Sequence, residues 1–188
     1  MKLLSVHRIW EYAPHNAFTA LVRHRDRWLC AFREGQGHAG SLGKIRVIAS
    51  ADGEAWESAA LLEDEIFDLR DAKLSVMPDG RLLMVLGATD IRPNPGRGRA
   101  LRTMVAFSED GATWTAPRII LGEWEWLWRV SWHDGAGYGV AYHVGEYLAT
   151  PRETRHGTLY RTTDGLHYEA VHRFDTPDGA GETTLRFE

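Results

Sequence analysis

Carboxylate, imidazole and guanidinium side chains recur beside short apolar runs in this 188-residue chain. Asn16 precedes the run Ala17–Val22, Arg70 and Asp71 precede Ala72–Val76, Arg129 precedes Val130–Trp132, and Glu182 stands at the head of Thr183–Phe187. The stretch that follows Trp28–Phe32 adds Arg33, Glu34 and His38. Carboxylates and imidazoles are the side chains of acid–base chemistry. A guanidinium fork suits two-point recognition of oxygen pairs. The same residues also have a purely structural use, because charges flanking apolar strands are costly to bury unpaired. Arg70 would then pair with Asp68 or Asp71, and Arg129 with Glu182. The two uses differ in whether the side chains converge on one space, and that depends on the elements that carry them.

Those elements read as strands. Helical periodicity is absent from any long window, and Gly or Pro interrupts every stretch that begins to show it. Short β-rich runs replace it: Ala17–Val22, Trp28–Phe32, Ile45–Ser50, Leu82–Leu86, Thr103–Ser108, Val130–Trp132, Tyr138–Tyr142 and Thr158–Thr162. Eight tryptophans and 19 glycines fit a sheet-rich core with many turns. The segment Ser50–Trp56 recurs as Ser108–Trp114 and, weakened, as Thr162–Tyr168, with the common form [ST]-x-D-G-x-x-[WY]. In each copy the Asp can accept hydrogen bonds from its own turn, the Gly takes a conformation costly to other residues, and the aromatic folds back on the sheet. A second repeat interleaves with the first. It carries Asn16, Arg70–Asp71, Arg129 and Glu182 near its starts and an Asp-containing turn after its first strand in the complete copies. Four strands per repeat is the blade of a β-propeller, and ligands bind such a fold where the inner strands of successive blades converge.

The three repeats resemble the Asp-box or BNR units of sialidase-like six-bladed β-propellers. His15–His38, Asp68–Leu82, Trp126–Gly135 and Gly181–Glu188 resemble a bacterial branch of that family described as exo-sialidases or glycoside hydrolases. The resemblance implies an all-β propeller of sialidase type. Its blades would span about 15–64, 70–121 and 128–174, a fourth would start at about 181–188, and Ser5–Trp10 would be an extra strand closing the last blade. A six-bladed ring at this period needs about 330 residues, so the chain corresponds to the N-terminal half of a ring. Such a half is expected to form a homo-oligomer or to pair with the C-terminal half.

Sialidases bind the substrate carboxylate with three arginines and use an acid Asp and a Tyr nucleophile assisted by a Glu. Glu182 matches that Glu. Asn16 stands where the first Arg belongs, and the loop Glu34–Gly43 holds no Asp. The resemblance therefore implies an exo-glycosidase acting on a glycan other than that of a sialidase. Its catalytic residues would be drawn from Glu34, His38, Asp71 and Glu182, and Asn16, Arg33, Arg70 and Arg129 would contact substrate. A non-catalytic glycan- or protein-binding propeller stays open beside it. No cofactor or metal is expected.

Other features exclude more than they add. A net charge of −4 argues against a phosphate-binding nucleic-acid protein. The apolar runs are too short to span a membrane as helices. The first ten residues lack the apolar core of a signal peptide, so the chain as it stands reads as soluble and cytoplasmic, or as secreted or periplasmic if a leader has been removed. Cys30 alone allows no internal disulfide. Gly35–Gly40 spells G-x-G-x-x-G, but the strand-like Lys44–Ala49 follows it where a dinucleotide site needs a helix. Trp124, Trp126, Trp128 and Trp132 suggest a sugar-stacking platform, or else a set split between faces of a strand. Arg92, Arg97, Arg99 and Arg102 read as a solvated basic loop.

Overall fold

The computed structural model describes residues 3–92, 100–144, 156–175 and 181–188, so Arg97 and Arg99 lie outside the described residues. Twelve strands form three four-stranded antiparallel sheets. Blade 1 is β1 (His15–His24), β2 (Arg27–Gly35), β3 (Lys44–Ser50) and β4 (Glu57–Leu62). Blade 2 is β5 (Phe67–Val76), β6 (Leu82–Asp90), β7 (Leu101–Ser108) and β8 (Arg118–Ile119). Blade 3 is β9 (Glu125–His133), β10 (Ala136–His143), β11 (His156–Thr162) and β12 (Glu169–Asp175). In each sheet the strands follow chain order as a meander, an arrangement consistent with propeller blades.

Strand periodicity explains the stacking. Blade 2 is covered on both faces, so β6 reads as a nearly unbroken apolar run. Leu82, Met84, Leu86 and Ala88 face blade 1, joining Leu29, Ala31, Ile45 and Val47 in one core. The alternate residues Leu83 and Val85 face blade 3, joining Leu127, Val130 and Ala141 in another. At the far side of blade 3, β12 is exposed along its whole length.

The three outer turns are built alike. Ser50 Oγ accepts from Gly53 N at 2.8 Å, while Asp52 Oδ1 accepts from Glu54 N and Ala55 N at 2.8 and 3.0 Å. Ser108 and Asp110 repeat these contacts with Gly111, Ala112 and Thr113, and Thr162 and Asp164 repeat them with Gly165, Leu166 and His167. Gly111 sits at φ +77°, and a Cβ there would lie 2.5 Å from Leu29 Cδ1, so the turn of blade 2 closes directly on blade 1. Trp114 packs into the core between blades 1 and 2, and Tyr168 into that between blades 2 and 3. Trp56 packs on the remaining face of blade 1, with Cys30, Phe32, Ile48 and Trp10.

Residues 181–188, where a fourth blade is expected to start, pair with no described strand. Phe187 instead stacks on His133 at 4.5 Å, and Leu185 O accepts from Ser131 Oγ at 3.2 Å, which lays the segment beside β9. Ser5–Trp10 is not a strand either. A ladder needs a partner's N–H and C=O groups, and no described strand pairs with either segment. Trp10 lies over blade 1 and donates from Nε1 to Glu34 Oε1 at 2.6 Å.

Candidate functional site

The innermost strands are β1, β5 and β9, and β5 touches both of the others. Each carries an irregularity. In β1 the register shifts between Ala17 and Ala20, and in β5 between Arg70 and Lys73. Both shifts place two residues opposite one, which is a bulge. Phe18 and Asp71 occupy equivalent places in them, at φ +66° and +54°. Left-handed backbone away from glycine is uncommon and gathers at sites where a side chain must be re-aimed. In β9 the irregularity falls at Trp128–Arg129, opposite Val140. It reverses the facing of the strand: Trp126 and Trp128 lie with Tyr142 and Leu101, whereas Val130 and Trp132 lie in the core between blades 2 and 3.

These bulges assemble a continuous polar and aromatic surface. His38 meets the Phe18 ring edge-on at 5.2 Å between centroids. The Arg70 guanidinium lies 5.1 Å from the centroid of Phe18 and 5.7 Å from that of Trp126. Its Nε donates to Asp71 Oδ2 at 3.0 Å, and the Asp71 side chain is only 6% exposed. Lys73 Nζ lies 4.2 Å from the centroid of the Trp128 ring and 3.3 Å from the Asp71 carbonyl oxygen. Trp126 in turn stacks on Tyr142 at 5.9 Å and 13°. Trp126 and Trp128 are thus engaged with Arg70 and Lys73, so they act as seats for cations.

Electrostatics tie Arg129 and Glu182 to the same surface. Burial pushes the Lys73 ammonium below its ordinary range; Asp71 and Glu182 oppose the shift and Arg129 reinforces it. Tyr142 is pushed well above the ordinary phenol range by burial, then by Glu182 and Asp71, with Arg70 acting against them. Arg129 is lowered by burial and by neighbouring Arg186, and its buried Nε has no hydrogen-bond partner among the described residues.

Of the residues singled out from sequence, His38, Arg70 and Asp71 are joined by direct contacts through Phe18, and Arg129 and Glu182 by charge. Asn16 is exposed at the start of β1, where its Nδ2 donates to Ala13 O at 2.8 Å. Arg33 and Glu34 are engaged elsewhere. Arg33 is fully buried; its Nε donates to Asp68 Oδ1 at 2.9 Å, and Nη1 and Nη2 donate to Gly37 O and Ser41 O at 2.6 and 3.2 Å. The glycine-rich loop is the cradle of this pair: a Cβ on Gly43 would stand 2.2 Å from Arg33 Nε, and one on Gly35 2.5 Å from Nη1. Glu34 points to the opposite face of β2 and binds Arg46 through both oxygens at 3.1 Å.

Sequence reasoning missed Lys73, Phe18 and Tyr142 as parts of the surface. Lys73 carried a signal, being a charge two residues after Asp71 between Ala72 and Leu74. Phe18 and Tyr142 lie within runs read as strands, Ala17–Val22 and Tyr138–Tyr142. Among the described residues no group of His, Cys, Asp or Glu is arranged to hold a metal ion. A separate cleft of about 570 Å³, lined in part by His24, Arg25, Asp79, Arg81 and Glu109, opens at the other ends of β1 and β5 and includes none of the residues singled out above.

No protein-family model and no curated protein matches the chain. Solved structures do. An α-L-arabinanase of Penicillium chrysogenum is similar at a TM-score of 0.63 and 15% identity, over 87% of this chain and 51% of that one. A family 117 glycoside hydrolase of the marine bacterium Zobellia galactanivorans is similar at 0.62 and 13%, over 83% and 55%. An exo-β-1,3-galactanase of Clostridium thermocellum is similar at 0.61 and 15%, over 87% and 38%. The chain spans about half the length of the first two and less of the third. The likeness at these identities is one of fold, shared with propeller glycoside hydrolases in general and not with sialidases in particular. No helix among the described residues is long and apolar enough to cross a membrane.

Proposed function

We propose that the chain, as a half-propeller, contributes part of the active site of a glycoside hydrolase, an exo-glycosidase acting on a glycan. The observation that carries the reading is Asp71, a buried carboxylate set on a left-handed bulge of an innermost strand and held by Arg70 where three blades meet. Most glycoside hydrolases place two carboxyl groups across one bond, with an oxocarbenium-like charge developing between them. Asp71 is one member and Glu182 the other. Arg70 and Arg129 bind substrate oxygens, and His38 closes the rim. The likeness in fold to propeller glycosidases supports the class of reaction. The Ser/Thr–Asp–Gly turns support a sialidase-like blade, and Asn16 in place of an arginine supports a sugar other than sialic acid.

A panel of p-nitrophenyl glycosides tests this. The isolated chain is expected to be poorly active; assembled as a homo-oligomer or with its C-terminal half it is expected to release nitrophenol from at least one member, and Asp71→Asn and Glu182→Gln each to lower kcat/KM by about 100-fold or more. Saturable binding across the panel without turnover would assign the second reading, a non-catalytic glycan-binding propeller. Arg33 and Glu34 favour that second reading, because both are committed to structural ion pairs.

A further inference from the structure

We propose that Lys73 is a substrate-contacting group of this site, donating from its ammonium to an oxygen of the bound sugar between Asp71 and Glu182. The nature of the ligand rests on the glycosidase reading; the seating of Lys73 beside Asp71 and Trp128 does not.

A lysine in the middle of an innermost strand has two ordinary fates. It can extend its stem along apolar surface and place its head in water, or pair with a carboxylate. Lys73 does neither. It is 6% exposed, between Ala72 and Leu74, which belong to the core between blades 1 and 2. Its one hydrogen-bond acceptor among the described residues is the Asp71 carbonyl, at a long 3.3 Å. The Trp128 ring stabilises the cation by its π-face without neutralising it. An ammonium has three N–H donors, so donors remain that the described contacts do not use. Asp71 on its own strand, Arg129 on β9 and Glu182 on the C-terminal segment act on its charge, and Tyr142 from β10 packs with Trp128, its aromatic seat. A group that is buried, charged, seated and incompletely bonded among such neighbours is suited to a ligand oxygen that completes its shell.

Two measurements test this. On whichever aryl glycoside the wild type cleaves, Lys73→Met is expected to lower kcat/KM by about 10- to 100-fold, the size of a hydrogen bond from a charged donor. Lys73→Arg is expected to keep part of the activity and to move the alkaline limb of kcat/KM to higher pH. The ammonium donates only while protonated, so activity is present below its pKa and lost above it, whereas a guanidinium stays charged. Variants within threefold of wild type, with an unmoved limb, would overturn the proposal and leave the glycosidase reading standing.

If the assembled protein, as a homo-oligomer or with its C-terminal half, cleaves nothing, that reading fails and the second measurement decides alone. The chain has three lysines, Lys2, Lys44 and Lys73. Selective ¹⁵Nζ labelling of lysine in the wild type therefore gives a simple NMR spectrum, which also sidesteps any variant that fails to fold. Millimolar addition of the monosaccharides corresponding to the panel is expected to shift the Lys73 Nζ resonance and leave those of Lys2 and Lys44 in place. A Lys73 resonance that no sugar moves would overturn the proposal.

Discussion

Arg33 shows how a single residue can read as chemistry and serve as structure. A guanidinium beside Glu34, ahead of a glycine-rich loop, has the composition of a binding site. Buried with Asp68, it instead ties blade 1 to the first strand of blade 2, and Asp68 Oδ1 also accepts from Gly43 N at 2.9 Å. Removing one member of a buried pair strands the other charge, at a cost of about 3–5 kcal/mol. Asp68→Asn is therefore expected to lower the urea midpoint steeply while leaving Asp71 and Arg70 in place. An unchanged midpoint would mean that the loop carbonyls Gly37 and Ser41 satisfy Arg33 by themselves. Asp71 is the opposite case. Its bond to Arg70 looks structural in isolation, and its left-handed backbone and place at the blade junction are what single it out.

At the scale of the element, the outer turns set a pH dependence. Backbone N–H groups of Glu54 and Ala55, then Ser50, hold the Asp52 carboxyl below the ordinary range, and those of Thr113 and Ala112 do the same for Asp110. Desolvation pushes Asp164 up, but the His167 ring together with the N–H groups of His167 and Leu166 outweighs it, leaving Asp164 far below the ordinary range. A carboxyl whose folded-state pKa is depressed contributes stability above its unfolded value, near pH 4, and that contribution is lost as pH falls toward the folded value. Urea midpoints recorded from pH 5 to pH 2 are expected to fall. Asp164→Asn is expected to flatten part of that slope, since the amide keeps an acceptor oxygen but no longer titrates. A slope identical to wild type would place the acid sensitivity elsewhere.

Across the whole molecule, the same aromatic position has a different energetic weight in each blade. Trp114 and Tyr168 pack, partly buried, between sheets, whereas Trp56 lies on a face that, among the described residues, is covered by the segment carrying Trp10. Both indoles make the same turn bond, Trp56 Nε1 to Gly53 O at 2.9 Å and Trp114 Nε1 to Gly111 O at 3.0 Å, so local geometry cancels in a comparison. Trp114→Ala is expected to cost about 3–5 kcal/mol, as a large aromatic lost from a core does. Trp56→Ala is expected to cost clearly less. Equal losses in denaturant unfolding would show that the aromatic stabilises its own turn and contributes nothing to the stacking of blades.

The repeat was legible because it is local. Ser or Thr, Asp, Gly and an aromatic at fixed spacing encode a turn that closes on its own atoms, so Asp52, Asp110 and Asp164 could be placed before any long-range contact was known. The strands were legible as short β-rich runs between turn residues, Leu82–Leu86 among them. The site was not legible to the same degree. Whether Asp71 or Lys73 faces a ligand depends on a bulge that shifts strand phase by one residue, and a one-residue shift exchanges the two faces of a sheet. Bulge positions answer to packing between blades, as where Phe18, Trp126 and Trp128 receive Arg70 and Lys73. Only the tertiary structure could therefore separate the charges buried in ion pairs from those brought together where β1, β5 and β9 meet.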